Sequence, residues 1–405
     1  MNQYNTVHLK KGKEESLGRF HPWVFSGAIG KILLDPHYPF DAPQEGELVC
    51  VRSAEGKVMG VGHYQIGSIA VRMLSFFVAE LPEDFWEQRI LSAYHLRESV
   101  GLISSENNTY RLIHGEGDFL PGLVVDVYAN TAVLQAHSIG MHLQRMQIAQ
   151  AIVNVVPEVE NVYYKSDDTL PFKASIDGDR VGYLIQTQTD VPDEFWAKEN
   201  GLGFRIDWLK GQKTGFFVDQ RENRSLLERY ARGKDVLNMF CYSGGFSVYA
   251  LRGGARVVHS VDVSEKAIAL VRDNVRHNFP TQTNHEAYAQ EAFSFMSDIR
   301  DKYDLIILDP PAFAKHRDAI RNALRGYQRI NAKAIEQIRK GGILFTFSCS
   351  QAIDKDMFRR AVFSAAAQVG RKVRILHQLH QPQDHPINIY HPEGEYLKGL
   401  VLYVE

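Results

Sequence analysis

Four apolar runs in the second half of the chain constrain its fold more than any other feature. VLNMF (236–240), VVHSVD (257–262), YDLIILD (303–309) and ILFTFS (343–348) are each strand-sized. Helix-length amphipathic sequence separates each from the next. Repeated strand-then-helix units predict a parallel sheet covered on both faces, an α/β, Rossmann-like architecture. In such sheets ligands sit beyond the carboxyl ends of the strands, so chemistry is sought there.

The first half reads differently. From Glu47 to Phe76, GELVCVRSAEGKVMGVGHYQ and SIAVRMLSF alternate apolar and polar residues between glycines, the pattern of a compact β-barrel. A helix is predicted from about Pro82 to Gly101, with Phe85, Ile90, Tyr94 and Leu96 or Val100 facing a core. GLVVDVY, TAVLQAH and NVYYKS read as strands, with a helix near Met141–Val155 among them. Asn200-Gly201 sits between two strand-like runs as a hairpin turn. At 405 residues the chain is too long for one core. The expected division is 1–76, a β-barrel; 77–187, a small α+β domain; and 188–405, the α/β domain.

The bulk numbers exclude several classes. No apolar stretch is long enough to span a bilayer. The N-terminus, MNQYNTVHLKKGKEE, has charge but no apolar core behind it and reads as no signal peptide. Cys50, Cys241 and Cys349 are too scattered for a metal site, and an odd, sparse set suits a reducing cytoplasm. A net charge of −2 argues for nucleic-acid binding only if cations cluster locally.

The strand ends supply the candidate site. The first strand runs into Cys241-Tyr242-Ser243-Gly244-Gly245-Phe246, and paired glycines at a strand-to-helix turn permit close approach of a ligand. Asp262, ending the second strand, suits the two hydroxyls of a ribose. The turn has no third glycine at the dinucleotide offset. S-adenosylmethionine has no pyrophosphate and does not need it, although tight packing alone would also explain the glycines. The YDLIILD strand ends in Asp309-Pro310-Pro311-Ala312-Phe313, whose prolines fix where the Asp309 carboxyl points. Phe313 could stack on a flipped base, or belong to the core. Cys349 follows the next strand. A lone cysteine is usually a small core residue, the reading given to Cys50 and Cys241, but Cys349 lies where the sheet opens. Carbon 5 of cytosine is a poor nucleophile until something adds to carbon 6, which a thiolate can do. Arg317, Arg321, Arg325, Arg329 and Lys333 recur every four residues, a helical ridge that reads as a solvated face or a phosphate-binding stripe.

These residues resemble the methyltransferases that make 5-methylcytosine in large-subunit ribosomal RNA and carry an N-terminal PUA domain. The likeness covers nearly the whole chain: RFHPWVFSGAI (19–29) with the 46–76 strands, GQKTGFFVDQRENR (211–224), Asp309-Pro310-Pro311, Ser348-Cys349-Ser350 and the DHP…PEGEYLKG stretch from Asp384. The resemblance implies that the β-barrel is a PUA-like RNA-binding domain and that the cofactor is S-adenosylmethionine. It implies cofactor contacts from Gln220, Arg221, Arg224, Phe240, Tyr242, Ser243, Gly244, Gly245, Asp262 and Asp309. It further implies Cys349 as nucleophile and Asp309 as the carboxylate holding the base, while Pro310, Phe313 and the arginine ridge are expected beside the RNA from their own placement. Glu291 stands where the family usually has an aspartate near the adenine, and the second cysteine of a better-known group of 5-methylcytosine enzymes is absent. Large-subunit ribosomal RNA is the implied partner, with neither metal nor membrane, and homodimerisation is left open. Two rivals stand beside this reading: a guanine-modifying RNA methyltransferase, against which Cys349 argues, and a non-catalytic RNA-binding assembly protein, against which Cys349 and the intact turn argue.

Overall fold

The computed structural model describes residues 4–171, 178–187, 194–281, 283–313 and 317–405. They form two compact units. The first comprises Met1–Asp193, Asp207–Gly215 and Gln383–Gly394; the second comprises Glu194–Ile206, Phe216–Pro382 and Glu395–Glu405. Two short segments late in the sequence thus return to the first unit, whereas the expected division used three continuous stretches.

The first unit opens with a six-stranded sheet in the order Trp23–Phe25, Ile69–Phe76, Val58–Tyr64, Leu48–Arg52, Asn5–Leu9, Ile29–Leu33. Its two edge strands are consecutive in sequence, joined only by the short turn Ser26–Ala28. Three residues reach about 10 Å, so the edges must approach each other and the sheet must roll up. Val7, Leu17, Val24, Val49, Val51 and Val71 fill its interior. A second sheet of five strands follows, in the order Val181–Ile185, Asn161–Lys165, Thr131–Ala136, Leu123–Tyr128, Thr109–His114. Its one parallel pair, Thr131–Ala136 with Asn161–Lys165, is linked through the helix Arg145–Val155, because a parallel connection needs a crossover. The helix expected near Met141–Val155 is broken at Gln144, with a short turn Ile139–Leu143 ahead of it, started by the Ser138 side chain.

The helix expected near 82–101 spans Phe85–Ser99 and buries Phe85, Ile90, Ala93, Tyr94 and Arg97. Leu96 and Val100 are exposed, contrary to the expected stripe. Arg97 takes the inner position instead. Its guanidinium forms two hydrogen bonds to Asp118, at 2.5 and 2.8 Å, and donates to the Asp384 carbonyl at 2.7 Å. A buried charge with all these partners is tolerated where an unpaired one is not.

The second unit is built on a seven-stranded sheet in the order His285–Ala289, Val257–Asp262, Asp235–Met239, Leu305–Leu308, Gly342–Ser348, Lys398–Val404, Val373–Leu379. The first five strands are mutually parallel. Lys398–Val404 is antiparallel to both neighbours, so the sheet is mixed rather than wholly parallel. No helix of four or more residues joins Val373–Leu379 to Lys398–Val404, only a loop with the turn Pro392–Gly394. Without a crossover helix the last strand enters from the opposite end. Asn200 and Gly201, at φ 50° and 78°, make the expected hairpin between Phe195–Glu199 and Leu202–Ile206. Strand order reverses between Asp235–Met239 and Leu305–Leu308, so the crevice lies beyond Met239 and Leu308.

Candidate active site

Beyond Met239 the backbone turns sharply. Phe240, Tyr242 and Gly244 all have positive φ, at 59°, 46° and 77°. Two non-glycine residues in that region store strain, which the surrounding contacts must hold. Cys241 N–H donates to the Val261 carbonyl at 3.1 Å, and Gly244 N–H to the Cys241 carbonyl at 2.7 Å. Tyr242 N–H donates to Asp262 Oδ2 at 3.0 Å. Ser264 N–H takes the other oxygen of Asp262, also at 3.0 Å. Asp262 therefore braces the turn and is held in a fixed orientation, yet stays partly exposed with lone pairs to spare. Both glycines are required by the protein itself. A Cβ on Gly244 would lie 2.9 Å from a Val271 methyl, and one on Gly245 would lie 2.9 Å from Arg224 Cδ. Ser243 is buried, and its carbonyl accepts from Asn274. Cys241 is buried as well, and burial with the Asp262 charge pushes its thiol well above the ordinary range. It is a packing residue.

The string 211–224 divides between the units. Thr214 belongs to the first, where its hydroxyl donates to Asp126 at 2.6 Å. From Phe216 on it belongs to the second. Arg224 is buried and forms a two-pronged pair with Glu199, at 2.8 and 2.6 Å, while donating to the Phe217 carbonyl at 3.0 Å. It ties the hairpin to the turn by packing on Gly245. Arg221 is buried in the first turn of the helix Arg221–Ala231, with Glu222 at 3.7 Å. Phe217 sets its ring edge-on to Tyr242, centroids 5.1 Å apart.

Gln220 joins this string to the far strand ends. Asn223 donates to the Gln220 carbonyl oxygen at 2.7 Å, and Gln220 Nε2 donates to Asp309 Oδ2 at 3.0 Å. The relay leaves Gln220 one orientation, amide nitrogen toward Asp309. Burial pushes the Asp309 carboxyl up to about 7, the Asp219 charge adds to the rise, and the Gln220 hydrogen bond opposes it. Asp219 receives the Tyr396 hydroxyl at 2.7 Å on one oxygen. Its other oxygen is buried without a hydrogen-bond partner. An orphaned carboxylate oxygen is costly unless a ligand donor meets it.

Cys349 follows directly on Gly342–Ser348, and its thiol donates to the Pro310 carbonyl at 4.0 Å. It is partly exposed, whereas Cys50 and Cys241 are buried. The two strand ends thus bring Asp309, Pro310 and Cys349 together. Phe313 packs on Tyr327, centroids 4.7 Å apart, and lies against Gly326, so the core claims part of its ring. Glu291 starts the short helix Ala292–Phe295 and accepts from Ser294 N–H at 2.8 Å; it is exposed. Of the ridge, Arg321, Arg325 and Arg329 are exposed along the helix Ile320–Gln337. Arg329 lies over the Phe293 ring at 5.2 Å, and Lys333 pairs with Glu336 at 3.4 Å. The Arg317 side chain lies outside the described residues. Asp219, Asn223, Tyr396 and Lys398 were not singled out from sequence, although each falls inside a quoted string. Among the described residues no group of His, Cys, Asp or Glu could hold a metal, and no helix is long and apolar enough to cross a membrane.

Comparisons with known proteins agree with this architecture. Residues 185–392 match the S-adenosylmethionine-dependent methyltransferase family, and residues 7–76 match the PUA-like domain. The chain is 38% identical over 403 residues to the ribosomal RNA large subunit methyltransferase I of Aeromonas hydrophila. It is 39% identical over 403 residues to the protein of that name from Tolumonas auensis. Each alignment covers 98% of both chains. A structure described as a SAM-dependent methyltransferase from Streptococcus mutans shares the fold at a TM-score of 0.81, with 22% identity over 98% of this chain and 100% of that one. Another, solved with SAH bound, gives 0.82 with the same identity and coverage. The chain belongs to the ribosomal RNA large subunit methyltransferase I family, S-adenosylmethionine-dependent methyltransferases, and carries an N-terminal PUA-like domain.

Proposed function

We propose that this protein methylates carbon 5 of a cytosine in large-subunit ribosomal RNA, with Cys349 as the nucleophile. The observation that carries the reading is the partly exposed Cys349 thiol beside the Asp309-Pro310 strand end, one residue beyond the sheet. S-adenosylmethionine supplies an electrophilic methyl on a sulfonium. Asp262, braced by Tyr242 and Ser264, would accept from the ribose hydroxyls, and the Phe240–Gly245 turn would line the cofactor. Two carboxylates, Asp219 and Asp262, suit a ligand bearing ammonium and sulfonium charge.

The Cys349 sulfur adds its electron pair to carbon 6, forming an S–C6 bond. Asp309, neutral up to about pH 7, can donate a proton to N3 as electron density moves into the ring. The enriched carbon 5 would then take the methyl group, the electron pair of the broken S–CH3 bond staying on the cofactor sulfur, which leaves as a neutral thioether. Loss of the carbon 5 proton to solvent expels the sulfur with its electron pair, N3 returns its proton to Asp309, and the aromatic ring is restored. Pro310 and Phe313 would border the base, and Arg321 and Arg325 would meet phosphates along the exposed helix face.

RNA with 5-fluorocytidine at the target tests the mechanism. Fluorine blocks the proton loss, so a covalent adduct should persist, dependent on S-adenosylmethionine and mapping to Cys349. Cys349→Ala should bind RNA and cofactor yet give no methylation. An active Cys349→Ala enzyme, or an adduct on Cys241, would overturn this reading and favour a guanine target.

A further inference from the structure

Lys398 begins the last strand directly opposite Ser348, the residue before Cys349. It is buried, only 4% exposed. Its ammonium donates to the Ser350 carbonyl at 2.6 Å and to the Tyr396 carbonyl at 2.7 Å. Those neutral acceptors leave its charge uncompensated, and among the described residues no carboxylate lies within 4.0 Å of it. The two acidic residues whose charge reaches it are committed elsewhere. Glu395 pairs with Lys355, and Asp354 caps the following helix by accepting from Met357 N–H at 2.7 Å. A buried cation held by two carbonyls, with no anion of its own, is costly to keep.

We infer that Lys398 is a positioning residue that holds Cys349 as a thiolate, the sulfur being the anion its buried ammonium lacks. One of the two carbonyls that fix the ammonium belongs to Ser350, the residue after Cys349, and the strand pairing sets Lys398 opposite Ser348, the residue before it. Burial lowers the lysine to about 8, while Cys349, Glu395 and Asp354 work to keep it charged. The Tyr327 hydroxyl pairs with Ser350 Oγ at 3.0 Å, and the Pro310 carbonyl accepts from the Cys349 sulfur, at 4.0 Å, while it keeps its proton. Lys398 gains and loses no proton in the reaction. It favours the ionised sulfur before the S–C6 bond forms, and again when that bond breaks and the pair returns to sulfur.

The inference rests on the reading of Cys349 as nucleophile, but its test does not use methylation. The full-length protein is alkylated with iodoacetamide across a pH series, and the Cys349 peptide is followed by mass spectrometry. Wild-type Cys349 should show its alkylation midpoint below the ordinary thiol value of about 8.5. Lys398→Gln keeps two N–H donors for the carbonyls but removes the charge. It should raise the midpoint by about one unit or more, a tenfold loss of thiolate at neutral pH. Lys398→Arg should restore most of the shift, and cofactor affinity should be unchanged throughout. A wild-type midpoint at or above the ordinary value overturns the inference even if the glutamine variant fails to fold. So does a Lys398→Gln midpoint equal to wild type. Normal alkylation shifts together with an active Cys349→Ala enzyme would overturn the catalytic reading alone.

Discussion

A carboxyl that stays protonated near neutral pH is kept so by its surroundings, and at Asp309 those surroundings can be named. Burial comes first, then the Asp219 charge, opposed by the Gln220 hydrogen bond and the Arg224 charge. The sign of the resulting pH effect follows. A carboxyl raised from near 4 when unfolded to about 7 when folded contributes stability that is full below about pH 4. That contribution is lost as pH rises through 7. Asp309→Asn cannot ionise, so it should stabilise the protein at pH 8, on the order of 2 kcal/mol, with a smaller gain at pH 5.5. Thermal melts at the two pH values measure it; equal gains at both would mean that Asp309 ionises freely in the folded state. The same substitution should slow methylation, because an amide has no proton to transfer to N3. At this scale the sequence was informative about chemistry and silent about partners. Cys349 and Asp309 stand out by following strand-like runs. Lys398 and Asp219 do not, because what marks them is burial beside groups far away in the chain.

The helix Ile320–Gln337 shows what periodicity can and cannot reveal. Its buried face, with Ala323, Tyr327, Ile330 and Ala334, is a regular stripe, and the arginines every four residues fall opposite. Lys333 is taken by Glu336 one turn along the same helix, but Arg329 is taken by Phe293 from another element, which periodicity does not reveal. Arg321 and Arg325 have no ion pair among the described residues. Replacing both with glutamine should weaken RNA binding and lower the slope of log affinity against log salt by about 1.4–1.8, the equivalent of two phosphate contacts. Cofactor affinity should not change. An unaltered slope would mean that the ridge only faces water. The same distinction explains the helix Phe85–Ser99. Periodicity marks Leu96 or Val100 as inward, but Arg97 takes the place because Asp118 and Asp384 are there to meet it, and no local pattern contains that information. The antiparallel last strand was illegible for a related reason. A loop without a crossover helix looks, in sequence, like any other loop.

Over the whole molecule the chain is interleaved rather than laid down domain by domain. It passes between the two units at 193/194, 206/207, 215/216, 382/383 and 394/395. The segment Gln383–Gly394, which contains no strand, is therefore built into a unit whose strands were complete almost two hundred residues earlier. Its anchor is Asp384, fully buried, which accepts from Arg111 N–H at 2.9 Å and gives its own carbonyl to Arg97. Arg111 lies in the strand Thr109–His114, where its side chain pairs with Asp126 through two bonds of 2.8 Å. A carboxylate taking a backbone N–H is worth about 1.5–3 kcal/mol, more than most single contacts. Asp384→Ala should then lower the local stability of that strand, although it is some 270 residues distant in sequence. Hydrogen exchange on the full-length variant reads this directly: peptides covering 109–114 should exchange about 10–100 times faster, provided opening is local. Peptides from the seven-stranded sheet should keep their protection, since Asp384 belongs to the other unit. Unchanged exchange at 109–114 would mean that the returning segment rests on a strand already stable without it. Loss of protection everywhere would mean instead that the two units unfold as one, with Asp384 acting as a fastener for the entire chain.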